Sequence, residues 1–183
     1  HKGSASTSNL NPDAIRKTVE AACNIARYTS QDPCAGLADK NSMATEFKEL
    51  DLYHPWDISP EAAIELALEC ESAALDFDPR IVNSDGASVN MSAGVSVYGN
   101  THGFLKAQHK TRHSLSCSVI GESDGTMQSD YWYDISRNSS HLASAKLIGE
   151  KAAERTVKKL GARKLKTQSA PVLFVPEVAR SII

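Results

Sequence analysis

Apolar residues recur at helical spacing near the start of the chain. One stripe has the three- or four-residue interval of a single helical face, and it consists of Ile15, Val19, Ala22 and Ala26. The preceding residues, 11–13, read Asn-Pro-Asp, which suits an N-cap, a first helical position and the positive end of the helix dipole. The pattern predicts a first helix that begins after Asn11 and ends near Thr29.

A second helix has the same kind of entry, because residues 59–61 read Ser-Pro-Glu. We expect only one of its faces to be apolar, and the residues that indicate this are Ile64, Ala67, Leu68 and Glu71. Another face carries three acids one turn apart, at Glu61, Glu65 and Glu69. Paired carboxylates can serve acid–base catalysis, but a solvated helix face is the favoured interpretation here.

A third helix is predicted from about Ser140 or His141 to Leu160, with Gly161 as the C′ residue. Its inward face consists of Leu142, Ala145, Ile148, Ala152 and Val157. After it, residues 171–175 predict a short buried strand, and residues 176–179 predict the start of another helix.

Between the second and third helices, glycines separate segments that are rich in β-formers. Asn, a hydroxyl residue, any residue and Gly occur in this order twice, at 83–86 and 100–103, and each copy predicts a tight turn. The predicted strands are Arg80–Asn83, Ala87–Met91, Gly94–Tyr98, Phe104–His109, Ser114–Gly121 and Thr126–Ile135. Segregated helices and strands predict an α+β fold, with helices packed on a mainly antiparallel meander sheet.

Residues 31–58 form a long connection in which little regular structure is expected, and such connections are often functional. The aromatic and leucine side chains that we expect to anchor it are Phe47, Leu50, Leu52, Tyr53 and Trp56.

The composition, 41% hydrophobic and 23% charged over 183 residues, is ordinary for a folded globular protein. No apolar run approaches the ~18–20 residues that span a membrane, so no membrane partner is expected. The four cysteines have no C-x-x-C spacing, which favours buried free thiols over a zinc or redox site: Cys23, Cys34, Cys70 and Cys117.

The net charge of −2 conceals an uneven distribution. Residues 46–78 include ten acids and one base, whereas residues 146–166 include eight bases and two acids. A basic stripe can bind nucleic acid, and the candidates are Arg155, Lys158, Lys159, Arg163, Lys164 and Lys166. Because no aromatic residue occurs between Tyr133 and Phe174, a solvated surface is the favoured interpretation.

The sequence has no motif of a hydrolase active site. His109 and His113 have the i, i+4 spacing of metal ligands, but they lie in a predicted strand–turn–strand region with no carboxylate between them. Ser114 follows His113 directly, and neighbouring strand residues point to opposite faces. We therefore assign no catalytic and no metal-binding residue to this chain.

The chain closely resembles the PmbA (TldE) type of subunit in the TldD/PmbA family. The most distinctive part of the resemblance is the sequence of residues 98–105 and 111–120, around and after the second predicted turn. Similar stretches extend the resemblance over almost all of the chain, and they are residues 2–6, 25–36, 51–55 and 162–165.

The resemblance implies a piece of a longer protein. Residues 1–168 are expected to form the α+β N-terminal domain of the family's fold without its first segment, and residues 169–183 to begin a truncated C-terminal domain. The family resembles a two-subunit cytoplasmic metallopeptidase in which the TldD-type partner carries zinc, so no cofactor is expected in this chain. Heterodimer formation with that partner is expected.

The function that the resemblance implies is a noncatalytic wall of the peptide-processing assembly, involved in proteolysis and peptide maturation. Two alternatives stay open. The family's label "modulator of DNA gyrase" suggests binding to gyrase or DNA, and an exposed sheet edge would suit a peptide-binding module without protease activity. If residues here contact substrate, we predict Asn100, His102, Arg112 and His113.

Overall fold

The computed structural model describes residues 1–182 of the chain. It has two compact units. The first unit comprises residues 1–51 and 95–109, and the second comprises residues 52–94 and the described chain from residue 110 onward. Two strands, β1 (Ile81–Gly99) and β2 (Leu105–Ser123), contribute residues to each unit.

The first unit contains helix α1, Pro12–Tyr28, at the predicted position. Asn11 is its N-cap, and the Asn11 side chain accepts a hydrogen bond from the Asp13 N–H at 3.0 Å. The segment before the helix lies directly against it, because a Cβ on Gly3 would overlap the carbonyl oxygen of Ala22. Only glycine therefore fits at position 3.

The apolar stripe of α1 is not buried within the described residues. Ile15 and Val19 are exposed, and Ala22 and Ala26 are half-buried. The local signals thus predict the helix correctly, while its apolar face contributes no residue to a core.

The connection at 31–58 has little regular structure, as predicted, and contains a short 3-10 helix at Lys40–Ser42. In the first unit, Phe47 packs edge-on against Phe104 with ring centroids 5.6 Å apart. In the second unit, Leu52 and Trp56 are half-buried. Of the other predicted anchors, Leu50 and Tyr53 are mainly exposed.

The sheet has three long strands in the order β1-β2-β3, with β3 at Thr126–Ser136. The predicted α+β fold is confirmed, but the six predicted strands merge into three. Residues 110–113, expected in a turn, lie within β2. β2 and β3 pair antiparallel, with Cys117 opposite Trp132.

The two copies of the four-residue pattern that begins with Asn and ends with Gly adopt different structures. The copy at 100–103 is the turn between β1 and β2, as predicted, and Gly103 has a φ of 87°. The prediction for 83–86 is wrong, because these residues lie inside β1. There the Ser84 hydroxyl accepts from the Gly86 N–H at 2.8 Å and donates to the carbonyl of Ser118 at 3.2 Å. Gly86, with a φ of 102°, absorbs the irregularity without reversing the chain.

An extended segment takes the place of β3 at one end of β2. β3 ends at Ser136, which is opposite His113. Beyond that pair, the Thr111 N–H donates to the carbonyl of Leu52 at 2.9 Å, and the His54 N–H donates to the Thr111 hydroxyl at 2.9 Å. Residues 52–54 therefore continue the hydrogen bonding along β2 where β3 has ended.

The core of the second unit lies between the sheet and two helices, α2 (Pro60–Leu75) and α3 (Ala145–Lys159). Alternate residues of β2 point into it, as the apolar–polar alternation at 115–119 predicts. The fully buried apolar residues include Leu115, Cys117, Val119, Ile148 and Ala152.

The predicted apolar face of α2 is wrong at Ile64 and Leu68, whereas Ala67 is half-buried. Ile64 and Leu68 are 60% and 55% exposed, whereas Cys70 and Ala74 are fully buried. The reason is the close approach of α2 to α3, since a Cβ on Gly149 would overlap the carbonyl oxygen of Cys70. Only the face of α2 with small residues fits against α3 at that distance.

Helix α3 begins later than predicted, because Ser144 is its N-cap and accepts from the Leu147 N–H at 3.3 Å. Residues 139–141 form a separate 3-10 helix. Ala145, Ile148 and Ala152 are buried as predicted, while Leu142 and Val157 are half-buried. Gly161 follows the helix with a φ of 72°, as expected for a C′ residue.

The predicted buried strand at 171–175 is wrong. These residues form no strand, because no described strand pairs with their backbone. Leu173 is 93% exposed. The short helix α4 follows at Pro176–Ala179, where a helix start is predicted. No helix in residues 1–182 combines the length and the apolar character needed to cross a membrane.

Candidate functional site

The four predicted substrate-binding residues belong to two units. Asn100 and His102 lie in the β1–β2 turn of the first unit. Arg112 and His113 lie on the part of β2 that belongs to the second unit. Each pair is therefore a separate candidate site with its own surroundings.

The Asn100 side chain holds the turn together. Its Oδ1 accepts from the His102 N–H at 3.1 Å and from the Phe104 N–H at 3.4 Å. Its Nδ2 contacts Met43 Sδ at 3.5 Å and the Tyr98 hydroxyl at 3.4 Å. Within residues 1–182, the half-buried ring of His102 has a buried Nδ1 that finds no hydrogen-bond partner.

Beside this turn, the first unit has a groove of about 360 Å³. Phe47, Tyr98 and Phe104 form its aromatic wall, and Lys106 Nζ lies 4.3 Å from the centroid of the Phe47 ring. An apolar groove with a cation at its rim suits an apolar peptide side chain. The sequence predicts Phe47 as an anchor but gives no sign of the groove, which needs residues 46–50 beside residues 96–108.

In the second unit, His113 is a buried residue, only 2% exposed. Its Nε2 lies 2.8 Å from the carbonyl oxygen of His54, and its ring meets Trp56 edge-on at 5.5 Å. A bond to a carbonyl requires a proton on Nε2. No described residue bonds the buried Nδ1. His113 thus fixes the segment around His54 to β2.

Thr111 is a structural residue that the sequence reasoning missed. Thr111 makes the two bonds to residues 52–54 given above. Its hydroxyl also donates to the carbonyl of Arg137 at 2.8 Å. Arg137 Nη1 donates in return to the carbonyl of Thr111 at 2.7 Å. A threonine in a strand gives no local signal of this role, because the partners come from two distant segments.

Arg112 points away from this buried cluster and lines a recess of about 370 Å³. Two further cations, Lys110 and Arg137, share the recess with residues 92–94 and Thr111. Among the described residues, no acidic side chain lines it. The recess is therefore electropositive, and of its cations the sequence reasoning identified only Arg112.

The three predicted basic residues that lie on α3 itself, Arg155, Lys158 and Lys159, are paired with acids. Asp130, a buried residue of β3, lies 3.3 Å from Arg155 Nε and 3.1 Å from Lys159 Nζ. Burial raises the pKa of Asp130, but the hydrogen bond from the Tyr131 N–H and the two cations outweigh it, and the pKa lies below its ordinary value. The stripe thus stabilises the contact between α3 and the sheet.

Glu154 pairs with Lys151 and Lys158 on the same helix, and their hydrogen bonds lower the pKa of Glu154 to about 2. Together with the pairs of Asp130, these contacts place Arg155, Lys158 and Lys159, half of the predicted nucleic-acid candidates, in ion pairs.

The cysteines divide into two classes, and all four are free thiols. Cys70 on α2 and Cys117 on β2 are buried, and the neighbouring Cys117 thiol together with burial raises the pKa of the Cys70 thiol. Cys23 and Cys34 are exposed, so the expectation of burial is wrong for these two.

Among residues 1–182, no three His, Cys, Asp or Glu side chains converge in a way that could hold a metal ion. The described residues therefore do not provide a metal site.

Comparison with known proteins gives a consistent result. Residues 53–160 match the family model of the PmbA/TldA metallopeptidase central domain. The chain is 51% identical over 181 residues to the metalloprotease PmbA of Escherichia coli O157:H7, and 50% identical over 182 residues to the PmbA homologue of Haemophilus influenzae. These alignments cover 99% and 100% of this chain and 40% of each relative. The chain thus spans about two fifths of the length of the relatives.

Two solved structures share the fold. One is a Thermotoga maritima protein named as a candidate modulator of a DNA gyrase, with a TM-score of 0.62, 19% identity, and coverage of 87% of this chain and 35% of that protein. The other is TldE from Thermococcus kodakarensis, with a TM-score of 0.58, 18% identity, and coverage of 85% and 34%. Because the family model matches more than half of its residues, the chain belongs to the PmbA/TldD metallopeptidase family.

Proposed function

We propose that this chain is a noncatalytic part of a two-subunit cytoplasmic metallopeptidase involved in proteolysis and peptide maturation. It forms part of the wall that encloses unfolded peptide substrates. A TldD-type partner subunit supplies the zinc. The observation that carries the proposal is the match of residues 53–160 to the PmbA/TldA metallopeptidase central domain, together with the 51% identity to a PmbA relative over 181 residues.

Two surfaces support a role in peptide contact. The aromatic groove of the first unit suits an apolar side chain, and it lies beside the turn that holds Asn100 and His102. The recess of the second unit presents Arg112. We assign peptide contact to Asn100, His102 and Arg112, and we assign His113 a positioning role, because its ring is buried against the segment around His54.

The test is reconstitution with a TldD-type subunit. The chain is mixed with that subunit, and zinc content and cleavage of an unfolded peptide are measured for each component and for the mixture. We expect zinc only with the partner, and faster cleavage by the mixture than by the partner alone. Stoichiometric zinc on the isolated chain, lost on changing His109 and His113, would instead place metal chemistry in this chain.

A DNA- or gyrase-associated role is the alternative, suggested by the name of the Thermotoga maritima neighbour. The ion pairs of Arg155, Lys158 and Lys159 with buried or neighbouring acids weaken it. DNA affinity that collapses between low and moderate salt would favour this alternative. Salt-tolerant binding of extended peptides without any gain in cleavage would favour a peptide-binding module that works without a protease.

A further inference from the structure

The recess lined by Lys110, Arg112 and Arg137 concentrates positive charge without a compensating acid. Three cations surround a volume of about 370 Å³, and the remaining lining comes from residues 92–94 and Thr111. Within residues 1–182, neither Lys110 nor Arg112 forms an ion pair or a side-chain hydrogen bond. Like charges held close together repel each other, so an anion in the recess would relieve that repulsion.

One of the cations is already held in place. Arg137 Nη1 is bonded to the carbonyl of Thr111, which is buried and itself bonded to residues 52–54. A guanidinium has five N–H donors, so most of its donors stay available after this bond. Arg137 is thus oriented before any ligand arrives, which reduces the entropy lost on binding.

The floor of the recess is made of small residues. Ser92, Ala93 and Gly94 come from β1, and a Cβ built on Gly94 meets no atom within 4 Å. The Ser92 hydroxyl is bonded to the carbonyl of Arg112 at 3.3 Å, which ties the floor to the strand that carries the cations. A ligand group can therefore approach the cations without displacing a side chain.

We propose that this recess is a carboxylate-binding subsite for peptide substrates. The proposal rests on the peptide-enclosing function given above. Arginine matches a carboxylate with paired N–H donors, and lysine adds a point charge. The ligand is the C-terminal carboxylate of the peptide or an internal Asp or Glu side chain, since both present the same group.

A peptide carboxylate fits the recess better than nucleic acid does. Single-stranded nucleic acid needs aromatic side chains on which its bases stack, and none of the described residues that line the recess is aromatic. The volume of about 370 Å³ is at the lower end for a ligand pocket and accommodates a side chain or a chain end.

The test uses three fluorescent peptides based on one parent sequence that contains no Asp or Glu. The first is amidated at its C-terminus, the second has a free C-terminal carboxylate, and the third is amidated with one internal Glu. Binding to the full chain is measured by anisotropy at low and moderate salt. We expect the second or third peptide to bind about tenfold more tightly than the first, and the tighter of the two identifies the source of the carboxylate.

Single substitutions inside and outside the recess show which residues cause the preference for a carboxylate. Arg112→Gln and Lys110→Gln should each remove most of that preference. Arg163→Gln and Lys164→Gln remove the same charge elsewhere and should preserve the preference. Gly94→Glu places a carboxylate in the recess and should abolish the preference, whereas the neutral, equally large Gly94→Gln should weaken it less.

The outcomes separate the two proposals. If all three peptides bind equally and the recess variants change nothing, the carboxylate subsite is wrong while the peptide-binding function stands. If no peptide binds at all, both proposals are wrong. If a single-stranded oligonucleotide binds through Arg112 more tightly than the carboxylate peptides, the recess is a phosphate site and the proposal is overturned.

Discussion

Thr111 and Arg137 are joined by two hydrogen bonds that run in opposite directions. The Thr111 hydroxyl donates to the Arg137 carbonyl at 2.8 Å, and Arg137 Nη1 donates to the Thr111 carbonyl at 2.7 Å. The same hydroxyl accepts from the His54 N–H at 2.9 Å. One buried threonine thus connects β2, the segment that precedes α2, and the chain that follows β3.

We expect Thr111→Val to lower the free energy of unfolding by about 2 kcal/mol. Valine keeps the shape but leaves the His54 N–H and the Arg137 carbonyl without their partner. The measurement is urea denaturation followed by circular dichroism. Thr111→Ser, which keeps the hydroxyl, should lose clearly less, and Thr126→Val at the exposed start of β3 is the control. Equal stability of Thr111→Val and wild type would contradict the structural role.

Gly149→Ala should be among the most damaging single substitutions in the second unit. A methyl group at this position overlaps the carbonyl of Cys70, so α2 and α3 would have to separate. We expect a loss of roughly 3 kcal/mol or more, visible as a lower thermal midpoint. Gly94→Ala is the matched control, because its Cβ meets no atom within 4 Å. A Gly149→Ala protein as stable as the control would refute the close helix contact.

Asp130 should make stability depend on pH in the acid range. Its pKa in the folded protein lies below the ordinary value of 3.8, so its contribution is fully present above that value and is lost as the pH falls through the folded pKa. We expect Asp130→Asn to lower the free energy of unfolding by about 2 kcal/mol at pH 7. The difference in stability between variant and wild type should disappear as the pH falls below about 4. Denaturation across pH 3–7 measures this.

The control for Asp130 is Asp13→Asn, which removes an exposed pair with Arg16. It should change stability by less than about 0.5 kcal/mol. A gap for Asp130→Asn that stays constant down to pH 3 would mean that the carboxylate charge is not what stabilises the contact with α3.

The reactivity of the thiols should follow their burial. A maleimide should label Cys23 and Cys34 rapidly in the native protein, while Cys70 and Cys117 react only after denaturation. Mass spectrometry after digestion identifies the labelled residues. Rapid native labelling of Cys117 would show that α2 does not cover β2 as described.

Local chemistry determined which parts of the fold were predictable. Asn11 and Ser59 identify the starts of α1 and α2, because an N-cap bonds within its own first turn. The inward face of α2 was mispredicted because the deciding contact, at Gly149, comes from a residue far along the chain. Ile64 and Leu68 have the right spacing, but their side chains are too large for that contact.

Contacts with residues far along the chain also explain why the structure of residues 83–86 and the recess could not be predicted from the sequence. Residues 83–86 and 100–103 have nearly the same local chemistry, and the difference arises from the bond between Ser84 and Ser118, which the motif does not contain. The recess likewise brings together residues 92–94, 110–112 and 137. Arg112 was a predicted candidate, whereas the contributions of Lys110 and Arg137 depend on how the strands are placed.

The bonds between residues 52–54 and Thr111 also bear on solubility. An unpaired strand edge is a template for pairing with other chains, and folded proteins cover such edges with neighbouring segments. Here the covering segment is held by the Thr111 N–H, the Thr111 hydroxyl and the ring of His113. A proteolytic cut or substitution that releases residues 52–54 would therefore expose backbone donors and acceptors of β2, and we expect it to promote aggregation of an otherwise folded protein.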